Sequence, residues 1–185
     1  MRCPISYEPC EPGQRYARAG LRLLSPRLQG MEPFPYDRGE AVRKAGEQKT
    51  KMSISGAQPK LGARLSLKRQ CFEITSKGGA YILKPENPHF LEIPANEAAT
   101  MYMARMLGIV TPISGLVYDK HEDFLYFVKR FDRRGKGKRA VEDFGQLLGL
   151  PRTHKYEADM EAVVKVVKTY TSFPALELPK LYRLI

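Results

Sequence analysis

Between Met52 and Leu61 the chain brings together two serines (Ser53, Ser55), one glycine (Gly56), an amide (Gln58) and a lysine (Lys60). Glycine lets a backbone approach a phosphate closely, and successive free N–H groups there can cradle an anion. The same residues also suit an ordinary Ser/Gly turn leading into a strand. Two charged residues downstream extend the chemistry. Lys84 ends the apolar run Tyr81-Ile82-Leu83, and Glu97 falls in the first turns of a helix that Pro94 is placed to begin. Singly, they read as a surface lysine and a glutamate favoured by the helix dipole. Together with the loop they read differently. A lysine on a strand, held by a helix-borne glutamate beneath a glycine loop, is how a kinase lobe positions nucleotide phosphates.

The elements that must position these groups follow from the pattern. Ala63, Leu65 and Leu67 alternate with Arg64, Ser66 and Lys68, which predicts a strand pairing with Cys71 to Thr75 across Lys68-Arg69-Gln70. Gly78-Gly79 turns the chain into Tyr81 to Lys84. The next helix is expected to show Ala99, Tyr102, Met103 and Met106 on one face and to end at Gly108. Strands over 113–118 and 124–131 follow, joined by the polar turn Asp119 to Asp123. The expected fold class is therefore α+β: an antiparallel sheet of about five strands with one inserted helix, like the N-lobe of a protein kinase, followed by helices.

Three regions are expected. Residues 1–50, rich in Pro, Gly and Arg, read as an arm, with a loop over Pro4 to Gly13 and short helices near 17–24 and 39–49. Residues 51–132 form the nucleotide-binding lobe. Residues 133–185 begin a helical lobe, with a helix over 141–148 and an apolar stripe at Val163, Val166, Val167 and Tyr170.

Composition narrows the class of partner. In 185 residues the net charge is +11, which suits an anionic partner without choosing between ATP, nucleic acid and an acidic protein. The basic run Lys129, Arg130, Arg133, Arg134, Lys136, Lys138 and Arg139 lacks interleaved stacking aromatics, so it reads as a solvated hinge and loop rather than a nucleic-acid site. Three scattered cysteines make neither a zinc site nor a disulfide framework, so no metal ligand is expected. The apolar runs are too short to span a bilayer, and no signal peptide is visible. A cytoplasmic location is expected.

The segments SISGAQPKL (53–61), YILKP (81–85), NEAATM (96–101), YFVKRFDRR (126–134), VEDFGQLLGL (141–150) and KYE (155–157) resemble the HipA-like serine/threonine kinases, toxins of bacterial toxin–antitoxin modules. The resemblance extends most closely to split members that begin without an additional N-terminal subdomain. It implies ATP as cofactor with Mg2+, antitoxin proteins as partners, and aminoacyl-tRNA synthetases as the substrate class of the complete enzyme. It implies Lys84 as the phosphate-contacting lysine and Glu97 as its helix partner. It assigns Ser53, Ser55, Gly56, Gln58 and Lys60 to the loop over the nucleotide, with Ser53 and Ser55 as candidate autophosphorylation sites. Lys129 and Phe131 would meet adenine through their backbones.

The family's catalytic aspartate, its magnesium-binding asparagine and its second magnesium-binding aspartate have no counterpart in this sequence. No catalytic residue is therefore expected here, and the magnesium ligands are expected elsewhere. The apolar pattern of Leu176, Leu178, Leu181, Tyr182, Leu184 and Ile185 runs to the last residue, which reads as a chain cut short. A second function class stays open beside the ATP-binding fragment: a non-catalytic module that binds antitoxin or an intact kinase.

Overall fold

A computed structural model describes residues 1–48, 58–87, 90–134, 137–154 and 157–184. Ser53, Ser55 and Gly56 lie outside the described residues. At the centre is a five-stranded antiparallel sheet of β1 (Leu61–Ser66), β2 (Cys71–Ile74), β3 (Tyr81–Lys84), β4 (Ser114–Tyr118) and β5 (Phe124–Lys129), in the order β2-β1-β3-β5-β4. The long connection from β3 to β4 carries a 14-residue helix, here α3 (Ile93–Met106). This is the expected α+β arrangement, five strands and one inserted helix.

The register assigns side chains to two faces. Leu61 pairs with Leu83 and Leu83 with Phe127, and this face continues through Ala63, Phe72, Tyr81, Val117 and Leu125, all buried. The other face carries Lys84, Tyr126 and Leu116, which are cross-strand neighbours, and is covered by α3 through Ala98 and Met101. Both faces of β3 are thus covered, which is why Tyr81, Ile82 and Leu83 are apolar in succession rather than alternating.

The first face is covered by residues 1–48, read from sequence as an arm. Cys3 and Ile5, the helix α1 (Arg18–Leu24) with Leu21 and Leu24, Leu28, Phe34, and the helix α2 (Arg38–Gln48) with Ala41 and Ala45 all belong to one buried cluster with the sheet. The same segment shields the edge of the sheet. The Leu116 N–H donates to the Pro4 carbonyl (2.9 Å) and the Phe34 N–H to the Tyr118 carbonyl (2.8 Å), so β4 does not present an open ladder along its length. The β4–β5 turn is fixed by a fully buried carboxylate: Asp119 accepts from the N–H groups of His121 (2.8 Å) and Asp123 (3.0 Å).

Helix α3 does not bury the face its apolar residues suggest. Met103 and Met106 are 56% and 71% exposed, while Pro94, Ala98 and Ala104 are buried. Ala98 and Met101 are what meet the sheet, so the helix is turned away from the face that Met103 and Met106 suggest.

Residues 106–109 and 132–184 form a second compact unit. It holds a two-stranded hairpin, β6 (Arg133–Arg134) with β7 (Gly137–Lys138), and the helices α4 (Phe144–Leu147), α5 (Met160–Tyr170) and α6 (Pro174–Tyr182). The helix expected over 141–148 begins only at Phe144, because Asp143 caps it. The Asp143 carboxylate accepts from the Gln146 N–H (2.9 Å), and the Gln146 side chain accepts from the Asp143 N–H (2.9 Å). In α5, Val166 and Val167 are buried and Val163 is half-buried, but Tyr170 is exposed and leaves the expected stripe.

Two glycines test this packing in opposite directions. A Cβ on Gly115 of β4 would come within 2.9 Å of both the Ile5 Cα and the Pro4 carbonyl oxygen, whereas one on Gly46 of α2 would meet nothing within 4 Å. Gly115→Ala is expected to destabilise the protein by about 1–3 kcal/mol through overpacking against backbone. Gly46→Ala is expected to stabilise it by about 0.5–1 kcal/mol. Urea unfolding of both variants checks the pair.

Candidate functional site

Lys84 is the last residue of β3, where the strand emerges from the core, and Glu97 lies in the second turn of α3. The helix packs its Ala98 onto the sheet, and this brings the neighbouring Glu97 over the strand end. The Lys84 Nζ donates to both carboxylate oxygens of Glu97, at 2.9 Å (Oε1) and 2.7 Å (Oε2). Each side chain is 26% exposed, so the pair is partly shielded and yet open on one side. An ammonium has three protons. With two directed at Glu97, one remains for a third acceptor.

Tyr126 forms the floor beneath the pair. It is the cross-strand neighbour of Lys84 on β5, and the Lys84 Nζ sits 5.5 Å from its ring centroid, within cation–π range. Burial first and the nearby Glu97 charge with it push the Tyr126 phenol up to about 12, against the opposing effects of the Ser114 hydroxyl and Arg105. Its role depends on register between strands distant in sequence. The only linear signal was a tyrosine within the apolar run Phe124 to Val128.

The register also extends towards the loop. Leu61 pairs with Leu83, so Lys60 and Lys84 are the residues next outward along the two strands. Gln58 is half-buried, and its side-chain nitrogen is sealed from solvent without a hydrogen-bond partner among the described residues. A buried amide donor of this kind is uncommon and suits an acceptor brought in from outside. The described part of the loop segment thus holds a lysine at the start of β1, whose partner strand ends in Lys84, and a buried amide two residues before it.

Lys129 and Phe131 are placed differently. The Lys129 side chain is exposed, and by register it belongs to the opposite face of the sheet from Lys84. Its N–H donates to the Ile113 carbonyl (2.8 Å) and the next N–H, on Arg130, donates to the Ala80 carbonyl (2.8 Å). The Lys129 amide is therefore committed to the sheet, and a contact with adenine at this residue could not use it. Phe131 is 64% exposed at the end of the first unit. Among the described residues there is no group of three His, Cys, Asp or Glu side chains fit to hold a metal ion, and no helix long and apolar enough to cross a membrane.

A lysine on the third strand gripped by a glutamate on the next helix is the phosphate-positioning pair of protein kinases. Comparison with known families gives a family for the chain. The model of the HipA-like C-terminal domain matches residues 52–185, well over half of the sequence. The chain belongs to this HipA-like family.

Individual relatives agree. A protein of Haemophilus influenzae whose name calls it a presumed kinase is 33% identical over 138 residues, covering 71% of this chain and 40% of that protein. A similarly named protein of Sinorhizobium fredii is 32% identical over 138 residues, covering 66% of this chain and 34% of the relative. The serine/threonine-protein kinase toxin HipA of Shewanella oneidensis is 33% identical over 115 residues, covering 59% of this chain and 26% of the toxin. The HipA-like chain thus spans about a quarter to two fifths of the length of these relatives. The family match begins at residue 52, so the layer of residues 1–48 that covers one face of the sheet lies outside it.

The buried phenol makes the floor beneath Lys84 measurable. The folded-state value of Tyr126 lies above the ordinary tyrosine value, so its neutral form is the one that folding favours. The associated stability is fully present below about pH 10 and is lost as pH rises through about 12. Thermal unfolding between pH 9 and 12 should show melting temperature falling across this window. The fall should be shallower in Tyr126→Phe than in the parent.

Proposed function

We propose that this chain is the ATP-binding part of a HipA-like serine/threonine kinase toxin. The observation that carries the reading is the two-pronged grip of Glu97 on Lys84, which fixes an ammonium at a strand end and leaves one of its protons for a phosphate oxygen. Lys60 across the register would add a second positive charge, and the sealed amide of Gln58 a donor. Ser53, Ser55 and Gly56, which precede β1 in the sequence, would supply hydroxyl and backbone N–H donors to the phosphates. Magnesium is proposed to arrive with the nucleotide, because the described residues offer it no carboxylate cluster and this ion commonly keeps phosphate and water ligands. Its chemistry when bound is to neutralise phosphate charge.

In this reading the chain supplies nucleotide binding and does not transfer phosphate on its own. In the complete enzyme the acceptor would be an aminoacyl-tRNA synthetase, and antitoxin proteins of the same module would be its partners. Both come from family likeness.

Calorimetric titration of ATP with magnesium tests the binding. A hydrogen bond to a charged group contributes about 1.5–3 kcal/mol, so Lys84→Ala should weaken affinity by roughly ten- to a hundredfold. Glu97→Ala should weaken it less, since the ammonium remains but loses its anchor. Equal affinity in the parent and Lys84→Ala would end the proposal.

The loop serines generate a separate expectation. A phosphate on Ser53 or Ser55 would add about −1.5 to −2 charges and compete for Lys60 and Lys84. Ser53→Asp combined with Ser55→Asp should therefore lower ATP affinity in the same titration, and alanine at both positions should leave it near that of the parent. Identical affinities in all forms would reduce the two serines to turn residues.

A further inference from the structure

The layer outside the family match contains a cavity of its own. About 720 Å³ opens between the chain from Gly13 to Arg22 and the chain from Pro26 to Glu32. A second hollow of about 290 Å³ shares Arg15, Tyr16, Met31 and Glu32 with it and adds Tyr118. Both volumes are near the range of small-molecule sites, about 300–1,000 Å³. Leu21 and Leu28, buried in the cluster beneath, give the larger cavity an apolar base. These residues belong to the layer on the first face of the sheet, whereas Lys84 and Glu97 are on the second.

The cationic side chains here are unequally used. Arg15 is ion-paired with Glu122, and its guanidinium lies 5.2 Å from the Tyr118 ring centroid. Arg18 and Arg22 line the cavity one helical turn apart on α1, and neither has an ion pair or side-chain hydrogen bond among the described residues. Like charges at this spacing repel and cost helix stability. A doubly charged anion between them would remove that repulsion, and the guanidinium fork matches phosphate geometry. Glu32, a carboxylate common to both hollows, is likewise without an ion pair among the described residues, while Arg18 and Arg22 line only the larger one. The site therefore has a cationic end and a carboxylate end.

We propose that this cavity binds a small phosphorylated molecule whose other end carries an amine or hydroxyl donor, with the phosphate on Arg18 and Arg22 and the donor on Glu32. Two cations one helical turn apart at a half-open cleft suit a compact ligand. A nucleic-acid strand would instead need cations and stacking rings spread along an open groove. The site does not depend on the nucleotide reading of Lys84.

O-phosphoethanolamine, which carries a phosphate and an ammonium group, is the probe, with inorganic phosphate as comparator. Titrations of the 185-residue chain are followed by amide chemical shifts. Saturable binding with shifts centred on residues 13–32 is expected. Arg18→Ala with Arg22→Ala should weaken both probes by at least about tenfold, the equivalent of one charge-assisted contact. Glu32→Gln should weaken phosphoethanolamine and leave phosphate unchanged, and Lys84→Ala should change neither. A charge-matched control, Arg43→Ala with Lys77→Ala, removes two exposed cations outside the cavity. Three results would overturn the proposal: no saturable binding, an equal loss in the charge-matched control, or shifts centred on Lys84 that vanish in Lys84→Ala. Arg18, Arg22 and Glu32 are exposed, so their replacement leaves the core intact.

Discussion

A strand that is apolar on both sides must be covered on both sides, and β3 imposes that condition on the whole first unit. Tyr81, Ile82 and Leu83 are buried in succession, so the sheet cannot leave either face in water. One face receives α3, the other the first 48 residues. The two coverings are chemically unlike. The α3 side is small and includes charge, with Ala98 packed beside Glu97. The N-terminal side is a continuous apolar cluster with aromatic contacts: the Phe72 ring lies 5.0 Å from Tyr81 and 5.3 Å from Phe127. The thicker cluster anchors the sheet, and the thinner side is where polar side chains meet at the strand ends.

This division explains why an ion pair can be held there. A lysine–glutamate pair in full solvent is mobile and contributes little, and a fully buried one carries a desolvation cost that its attraction seldom offsets. Lys84 and Glu97 are in between, each about three-quarters covered, with an aromatic ring below and a helix fixing the carboxylate from one side. Their arrangement is set by packing of the backbone elements that carry them. Such positioning suits a group that must stay in place while a charged ligand comes and goes.

The pair was legible in the sequence because each member stood at a recognisable boundary, Lys84 at the end of an apolar run and Glu97 just inside a helix opened by proline. Strand count, strand order along the chain and the inserted helix were legible for the same reason, through alternation and glycine turns. Tyr126 was not, because its contact with Lys84 exists only once β3 and β5 align. Nor was the commitment of the Lys129 amide to Ile113, which is also a matter of register. The face of α3 differs from the expected one because Ala98 and Met101, rather than Met103 and Met106, meet the sheet, a rotation that hydropathy alone does not fix. The N-terminal layer was hidden by composition: Cys3, Ile5, Leu28 and Phe34 are irregularly spaced among Pro, Gly and Arg, and no period marks them as core. In the second unit, Asp143 and Gln146 spelled a capping box that, recognised, would have placed the start of α4 correctly.

The strand order has a consequence for how the molecule is assembled during synthesis. The order β2-β1-β3-β5-β4 places the last-made strand of this sheet in its interior, between two strands that leave the ribosome earlier. Until β5 emerges, β4 has no neighbour in the sheet, and the N-terminal segment, through Pro4 and Phe34, is what can hold it. The apolar layer formed by the first 48 residues can meet β1 to β3 early, but its packing with Val117, Leu125 and Phe127 waits for β4 and β5. Long-range pairing of this kind is slow and leaves apolar surface exposed in the interval. Tyr126 arrives with that final strand. Lys84 and Glu97 can therefore find each other beforehand, but the ring beneath them is installed only at closure, which makes the finished site a late product of folding.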